Sequence, residues 1–261
     1  MDASELELLT QSLRKAATST TGSALYAGLT ELGWQDLLIA YPERAIPLVF
    51  RLLGETGAHA PVLNDVVRHA AGQPLGATVP LPYAGGSWVV WEDSDTPATD
   101  LLDPQLPLHR AEAGPVPPLA AGRRALGWWL LGSAHAMLEL ARTHALQRVQ
   151  FGRPLSSFQA VRHRLAETLV AIEGAEATLI AADDEFSSLL AKAAAGHSAL
   201  TAARHCQQVL GGLGFTAEHG LQQHIRRVLV LDGLLGSARE LTREAGAHAR
   251  ATGSAPRLVH L

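Results

Sequence analysis

A chain of 261 residues can bury a sizeable core, and 47% hydrophobic with 18% charged residues describes a folded globular protein with apolar surface to hide. A net charge of −4 gives no electrostatic reason to expect nucleic acid or an anionic membrane surface as partner. The single cysteine, Cys206, excludes an internal disulfide and any cysteine-based metal cluster and reads as a small buried apolar residue.

The first residues are acidic and lack a signal-peptide core, and no apolar run approaches the ~20 residues that span a bilayer, so the expected address is the cytoplasm. Residues 1–72 read as an N-terminal helical region. Leu6, Leu9, Leu13 and Ala16 mark one apolar stripe and Leu48, Val49, Leu52 and Leu53 another, punctuated by Gly22, Gly33, Pro42, Gly57 and Pro61. Pro61 suits the first turn of a short helix through Val66 and Val67.

Residues 73–117 change character. Ten prolines and glycines between Pro74 and Pro117, Pro97 among them, forbid long helices. Ala77–Val79 and Ser87–Trp91 have strand composition, so this is a reduced β/loop segment, with Trp88 and Trp91 read as core aromatics.

From Pro118 the pattern is helical to the end, and residues 118–261 form the third unit. The expected helices run from Leu119 to Gln147, from Pro154 through Leu179, from Ser198 to Leu210, and from Leu221 to Ala249 with a break at Gly233 or Gly236. Long helices on short loops predict an antiparallel four-helix bundle, and the fold class is mainly α.

Two blocks carry the chemistry. The first, Arg148-Val149-Gln150-Phe151-Gly152-Arg153-Pro154-Leu155 followed by Phe158-Gln159, joins two bundle helices. A guanidinium at a helix end presents a fixed fork of donors suited to phosphate, Phe151 offers a face to a purine, and Gly152 permits a tight turn. By itself the block is also an ordinary inter-helix loop. The second, Gln208-Val209-Leu210-Gly211-Gly212-Leu213-Gly214-Phe215, ends a helix, lacks the Lys and Ser/Thr of a P-loop, and taken alone is a helix cap.

Together, with Glu218 and Arg226 after them, these blocks resemble the C-terminal helical domain of the acyl-CoA dehydrogenases, FAD enzymes that desaturate acyl thioesters between Cα and Cβ. The resemblance implies that Arg148 contacts the FAD pyrophosphate, Phe151 packs at the adenosine end, Gln159 bonds the ADP moiety, and Gln208, Gly211 and Gly212 form the glycine turn. In family homotetramers these groups grip the ADP half of a flavin whose ring and acyl pocket belong to the neighbouring subunit.

The family also needs a carboxylate to remove the α-proton while hydride leaves Cβ. Counting from Arg226, the residue where most members carry a Glu-Gly-Thr glutamate is Leu235, followed by Gly236-Ser237. The alternative position, on the first bundle helix, is Arg123, and neither leucine nor a guanidinium can serve as this base. Asp232, three residues before Leu235, reads as a surface or cap residue. Residues 73–117 show nothing like the family's Thr/Ser-rich ring-binding segment.

The resemblance therefore implies a non-catalytic subunit of a heteromeric acyl-CoA dehydrogenase, sharing FAD with a catalytic partner that binds the acyl-CoA, in an α2β2 assembly. Bacterial steroid side-chain degradation makes a steroid-CoA a candidate substrate by analogy. The alternatives are a flavin-free binding or assembly module that kept the fold, and a homomeric acyl-thioester enzyme of altered chemistry. The histidines (His163, His205, His219 and His224 among them) show no metal-ligand spacing, and Ser133 lacks a nucleophile elbow.

Overall fold

The computed structural model describes residues 3–92 and 102–253, so Pro97 lies outside the described residues. The N-terminal stripes fold into α1 (Ala3–Ser19), α2 (Gly22–Glu31), α3 (Trp34–Ala40), α4 (Pro42–Thr56) and α5 (Val62–Ala70). Leu13, Val49, Leu52 and Leu53 are buried, as their spacing requires. Pro42 and Pro61 stand at the starts of α4 and α5, where a missing N–H costs nothing.

The middle segment holds a three-stranded antiparallel sheet of β1 (Leu81–Tyr83), β2 (Ser87–Trp91) and β3 (Leu108–Arg110), in the order β1-β2-β3. Val89 pairs with Leu81 on one side and Arg110 on the other. The expected strand at Ala77–Val79 is irregular backbone, and the pairing falls four residues later, where the tight turn at Ala84–Gly86 closes a hairpin. Trp91 is a core residue: its ring stacks on Trp129 at 5.5 Å, and Phe50 meets Trp129 edge-on at 5.8 Å.

The bundle comprises α6 (Ala120–Gln147), α7 (Gln159–Ala181), α8 (Glu185–Leu210), α9 (Gly220–Gly233) and α10 (Ala238–Thr252). Two expected boundaries move. Pro154 closes a two-residue strand instead of opening α7, and α8 begins thirteen residues before Ser198. The Asp184 carboxylate accepts from the Ser187 amide while the Ser187 hydroxyl bonds back to the Asp184 amide, a capping box that starts the helix early. The expected break between α9 and α10 falls at Leu234–Ser237. Among the described residues no helix is long and apolar enough to cross a membrane.

One apolar core runs from Leu13 to Leu235 through both helical regions and the sheet. Its tightest seam is the crossing of α4 on α6. A β-carbon at Gly132 would lie 3.1 Å from the Glu55 amide and closer still to the Arg51 carbonyl, and one at Gly54 would lie 2.6 Å from the Ser133 amide. Glycine at both positions lets the two backbones touch. Cys206, on α8, is fully buried in this core, and burial pushes its thiol up to about 12.

Candidate functional site

The loop after α6 is a minimal hairpin. Arg148 ends the helix with its amide bonded to the His144 carbonyl at 2.8 Å, then β4 (Val149–Gln150) pairs with β5 (Arg153–Pro154). The two residues between them, Phe151 and Gly152, have φ of +54° and +76°. Such left-handed pairs close two-residue hairpins whose twist matches the strands. The turn lifts Phe151 clear of the chain at 90% exposure, with its ring edge-on to Phe158 at 6.1 Å. The Arg153 guanidinium covers Phe158 at 4.2 Å and steadies the base of the hairpin.

The second block follows α8. Gly211 takes φ +59° and begins a tight turn through Phe215. Two side-chain amides, Gln207 at 3.3 Å and Gln222, donate to the Gly214 carbonyl and fix the turn from below. At Gly214 an added β-carbon would stand 2.7 Å from the Gln207 carbonyl, so this glycine is required by packing. At Gly211 and Gly212 no protein atom lies within 4 Å of that position.

The fold brings the two blocks together. Arg148, Gln150 and Leu155 from the first, and Val209 to Leu213 from the second, line one cavity of about 580 Å³ with His144. The exposed Arg148 guanidinium has no hydrogen-bond or ion-pair partner among the described residues, and Arg148 lines the same cavity as Gly211 and Gly212. That volume, donor fork and uncovered backbone suit the phosphates of a dinucleotide. Phe151, Gln159 and Gln208 are exposed and stand outside the cavity wall, with both amide heads unpartnered among the described residues.

Leu235 and Arg123, the two family positions for the base, also lie together. Leu235 is 1% exposed, its φ is +55°, and its side chain packs against Gly122 on α6. Its amide donates to the Pro82 carbonyl at 2.8 Å, which ties the loop to β1. The buried Arg123 donates Nε to the Leu235 carbonyl at 3.3 Å and pairs with Glu185 at 2.9 Å. Asp232 turns away: its carboxylate accepts the Ala238 amide at 3.1 Å at the start of α10. Ser237 caps α10 in a capping box with Glu240, whose carboxyl is held low by amide bonds from Gly85 and Ser237.

Sequence reasoning missed Lys192 beneath this loop. Fully buried on α8, its Nζ donates to the carbonyls of Asp232 (2.8 Å) and Gly236. Burial pushes its pKa down to about 7, against the pull of Asp232. A neutral amine has two N–H groups, enough for both carbonyls. No periodicity in the alanine-rich stretch around it marks Lys192 as other than a surface lysine. His144 was missed as well, although its place one turn before Arg148 is a legible signal.

Comparison with known proteins adds the following. Residues 117–249, just over half the chain, match the family described as acyl-CoA dehydrogenase, C-terminal domain. Acyl-CoA dehydrogenase IpdE2 of Mycobacterium tuberculosis is 37% identical over 116 residues, covering 43% of this chain and 36% of that protein. Acyl-CoA dehydrogenase FadE34 of the same organism is 35% identical over 205 residues, covering 69% of this chain and 29% of that protein. The match thus spans about a third of the length of these curated relatives. Among solved structures, a variant of the Tcur3481-Tcur3483 steroid ACAD superposes with a TM-score of 0.71 at 20% identity, over 96% of this chain and 99% of that one. The ChsE4-ChsE5 complex from Mycobacterium tuberculosis does so with a TM-score of 0.64 at 17% identity, over 98% and 99%. At these identities the likeness is one of fold.

Proposed function

The chain belongs to the acyl-CoA dehydrogenase family, and from that premise we propose that it is the non-catalytic subunit of a heteromeric, FAD-dependent acyl-CoA dehydrogenase. In this reading it grips the ADP half of a flavin whose ring, base and acyl pocket belong to a catalytic partner, in an α2β2 assembly. The observation that carries the reading is the single cavity shared by Arg148 and the Gly211–Gly212 turn, sixty residues apart in sequence.

Bound flavin would supply the hydride acceptor for α,β-desaturation on the partner. This chain's part is binding. The Arg148 fork bonds the pyrophosphate, the bare backbone of Gly211 and Gly212 admits phosphate and ribose, and the raised Phe151 ring packs at the adenosine end. The free amides of Gln159 and Gln208 hydrogen-bond the ADP moiety. At the chain's own base positions stand Leu235 and Arg123, neither able to take an α-proton, with the neighbouring Glu185 and Asp232 already engaged. The likeness to a steroid ACAD and to a two-protein complex supports a heteromer acting on a steroid-CoA.

The test is co-expression with an adjacent dehydrogenase-like gene and a visible spectrum of the purified complex. A yellow, active complex is expected, with the chain alone colourless and inactive. Arg148→Ala in the complex should leave circular dichroism unchanged and weaken FAD retention ten- to a hundredfold, the ~1.5–3 kcal/mol of a charge-assisted contact. A yellow, active homomer, or full flavin content in the Arg148→Ala complex, would sink the reading.

A further inference from the structure

One group on the cavity wall is left unused by this assignment. His144 stands four residues before Arg148 on α6, so both side chains leave the same face of the helix one turn apart. It lines the cavity with Arg148, Gly211 and Gly212, and its ring nitrogens have no hydrogen-bond partner among the described residues. His144 also lines a second cavity, of about 830 Å³.

Charge sharpens the point. A pyrophosphate diester carries two negative charges, and the Arg148 guanidinium supplies one positive charge. The last turn of a helix presents free carbonyls and a negative dipole end, which favours a cation and repels phosphate. A second cation is needed where His144 stands. We infer that His144 is a second pyrophosphate ligand, taking up a proton as the phosphates enter so that an imidazolium and Arg148 together balance both charges. This rests on the reading of the cavity as the ADP site.

The surroundings make the proton uptake conditional on the ligand. Burial first, then the charges of Arg148 and of His219 ahead of α9, hold the ring below the ordinary histidine value in the free chain. On α6, Arg142 is paired with Glu139. From α4, Arg51 faces the shared wall already paired with Glu55 and Glu176, beside His135, and from α9 comes His224, held neutral by burial to about 4. Entry of a dianion raises the His144 pKa, so binding takes up a proton and tightens as pH falls through the window between the free and bound values.

The probe is ADP-ribose, a pyrophosphate diester with the adenosine end and no flavin ring, titrated into the full-length chain. Proton NMR of the His144 ring should show its titration midpoint move up on binding, and affinity should rise severalfold from about pH 8 to about pH 6. His144→Gln should weaken binding about three- to tenfold near pH 6 and remove the pH dependence, whereas His219→Gln should keep it. If Arg148→Ala abolishes binding but the His144 midpoint does not move and His144→Gln binds as the parent does, His144 is not a ligand and the ADP site stands. If ADP-ribose at millimolar concentration perturbs neither Arg148 nor Gly211, in the chain alone or in the flavin-stripped complex with its partner, both assignments fall.

Discussion

Leu235 occupies a left-handed backbone position that costs a leucine about 1–2 kcal/mol, and its burial against Gly122 offsets that cost. On the proposed reading a carboxylate introduced there restores no desaturation, because the flavin ring and acyl pocket belong to the partner. It would enter a filled apolar space beside Arg123, already shared between Glu185 and the Leu235 carbonyl. Leu235→Glu should lower stability by about 2–5 kcal/mol in urea denaturation and give no acyl-CoA oxidation alone. Activity in that variant alone would show that this chain carries its own ring site and would overturn the non-catalytic reading. Lys192 makes a second prediction. Its folded pKa of about 7 lies below the ordinary 10.5, so between these values the unfolded chain binds a proton that the folded chain does not. Stability should therefore rise from pH 7 to pH 9, by at most ~1.4 kcal/mol per pH unit. Above that, unfolded Cys206 ionises while the buried thiol, raised to about 12, does not, so the rise levels off and reverses only above the ordinary lysine value of 10.5. Lys192→Met should abolish the rise and, by stranding two carbonyls, destabilise the chain by about 2–4 kcal/mol. A flat profile in the parent protein would refute the account.

At the level of elements, the α4–α6 crossing and the β4–β5 hairpin do opposite jobs. The crossing is a rigid contact of backbone on backbone, with nothing able to yield. Gly132→Ala should cost about 3 kcal/mol or more, because its methyl group meets the Arg51 carbonyl and the Glu55 amide rather than a side chain. Gly28→Ala on α2 is the control: nothing lies within 4 Å and no positive φ is involved, so it should stabilise by about 0.5–1 kcal/mol. Equal melting shifts for the two would contradict the crossing. The hairpin instead raises a large aromatic out of the chain on a two-residue turn, with Arg153 and Phe158 bracing its base. At 90% exposure Phe151 contributes little to this chain's own core, as the proposed packing against a ligand held with a partner requires.

At the scale of the whole molecule, Arg148, Phe151, Gln159 and Gln208, the groups proposed to hold the ADP half, are exposed, while Leu235 and Arg123 are buried. Among the described residues, β1 is tied to the Leu234–Leu235 loop by a strand-like bridge at Tyr83 and by the Leu235 amide on Pro82. Tyr83 packs against Gly233, where an added β-carbon would push the ring aside, and burial raises its phenol. The reduced β segment thus seals the loop that carries Leu235, and the chain's exposed chemistry lies at the far ends of α6 and α8. That polarity is what the proposed non-catalytic subunit, gripping a flavin shared with its partner, would require.

Much of this was open to a reader of the residues. The apolar periods of α1, α4, α6 and α7, the glycine break before α10, and the two motif blocks are local signals, because helix faces and turns depend on neighbours within a few positions. The helical class, the family likeness and the identities of Arg148, Phe151, Gln159, Gln208, Gly211 and Gly212 follow from such signals alone. Tertiary structure decided what no local pattern encodes. It brought Arg148 within one cavity of the Gly211 turn, added His144 to the wall, and set Arg123 on the Leu235 carbonyl. It also buried Lys192, which nothing in its alanine-rich neighbourhood distinguishes from a solvated lysine. These outcomes depend on contacts between residues forty to more than a hundred positions apart, where burial and charge are properties of the packed chain and not of any segment of it.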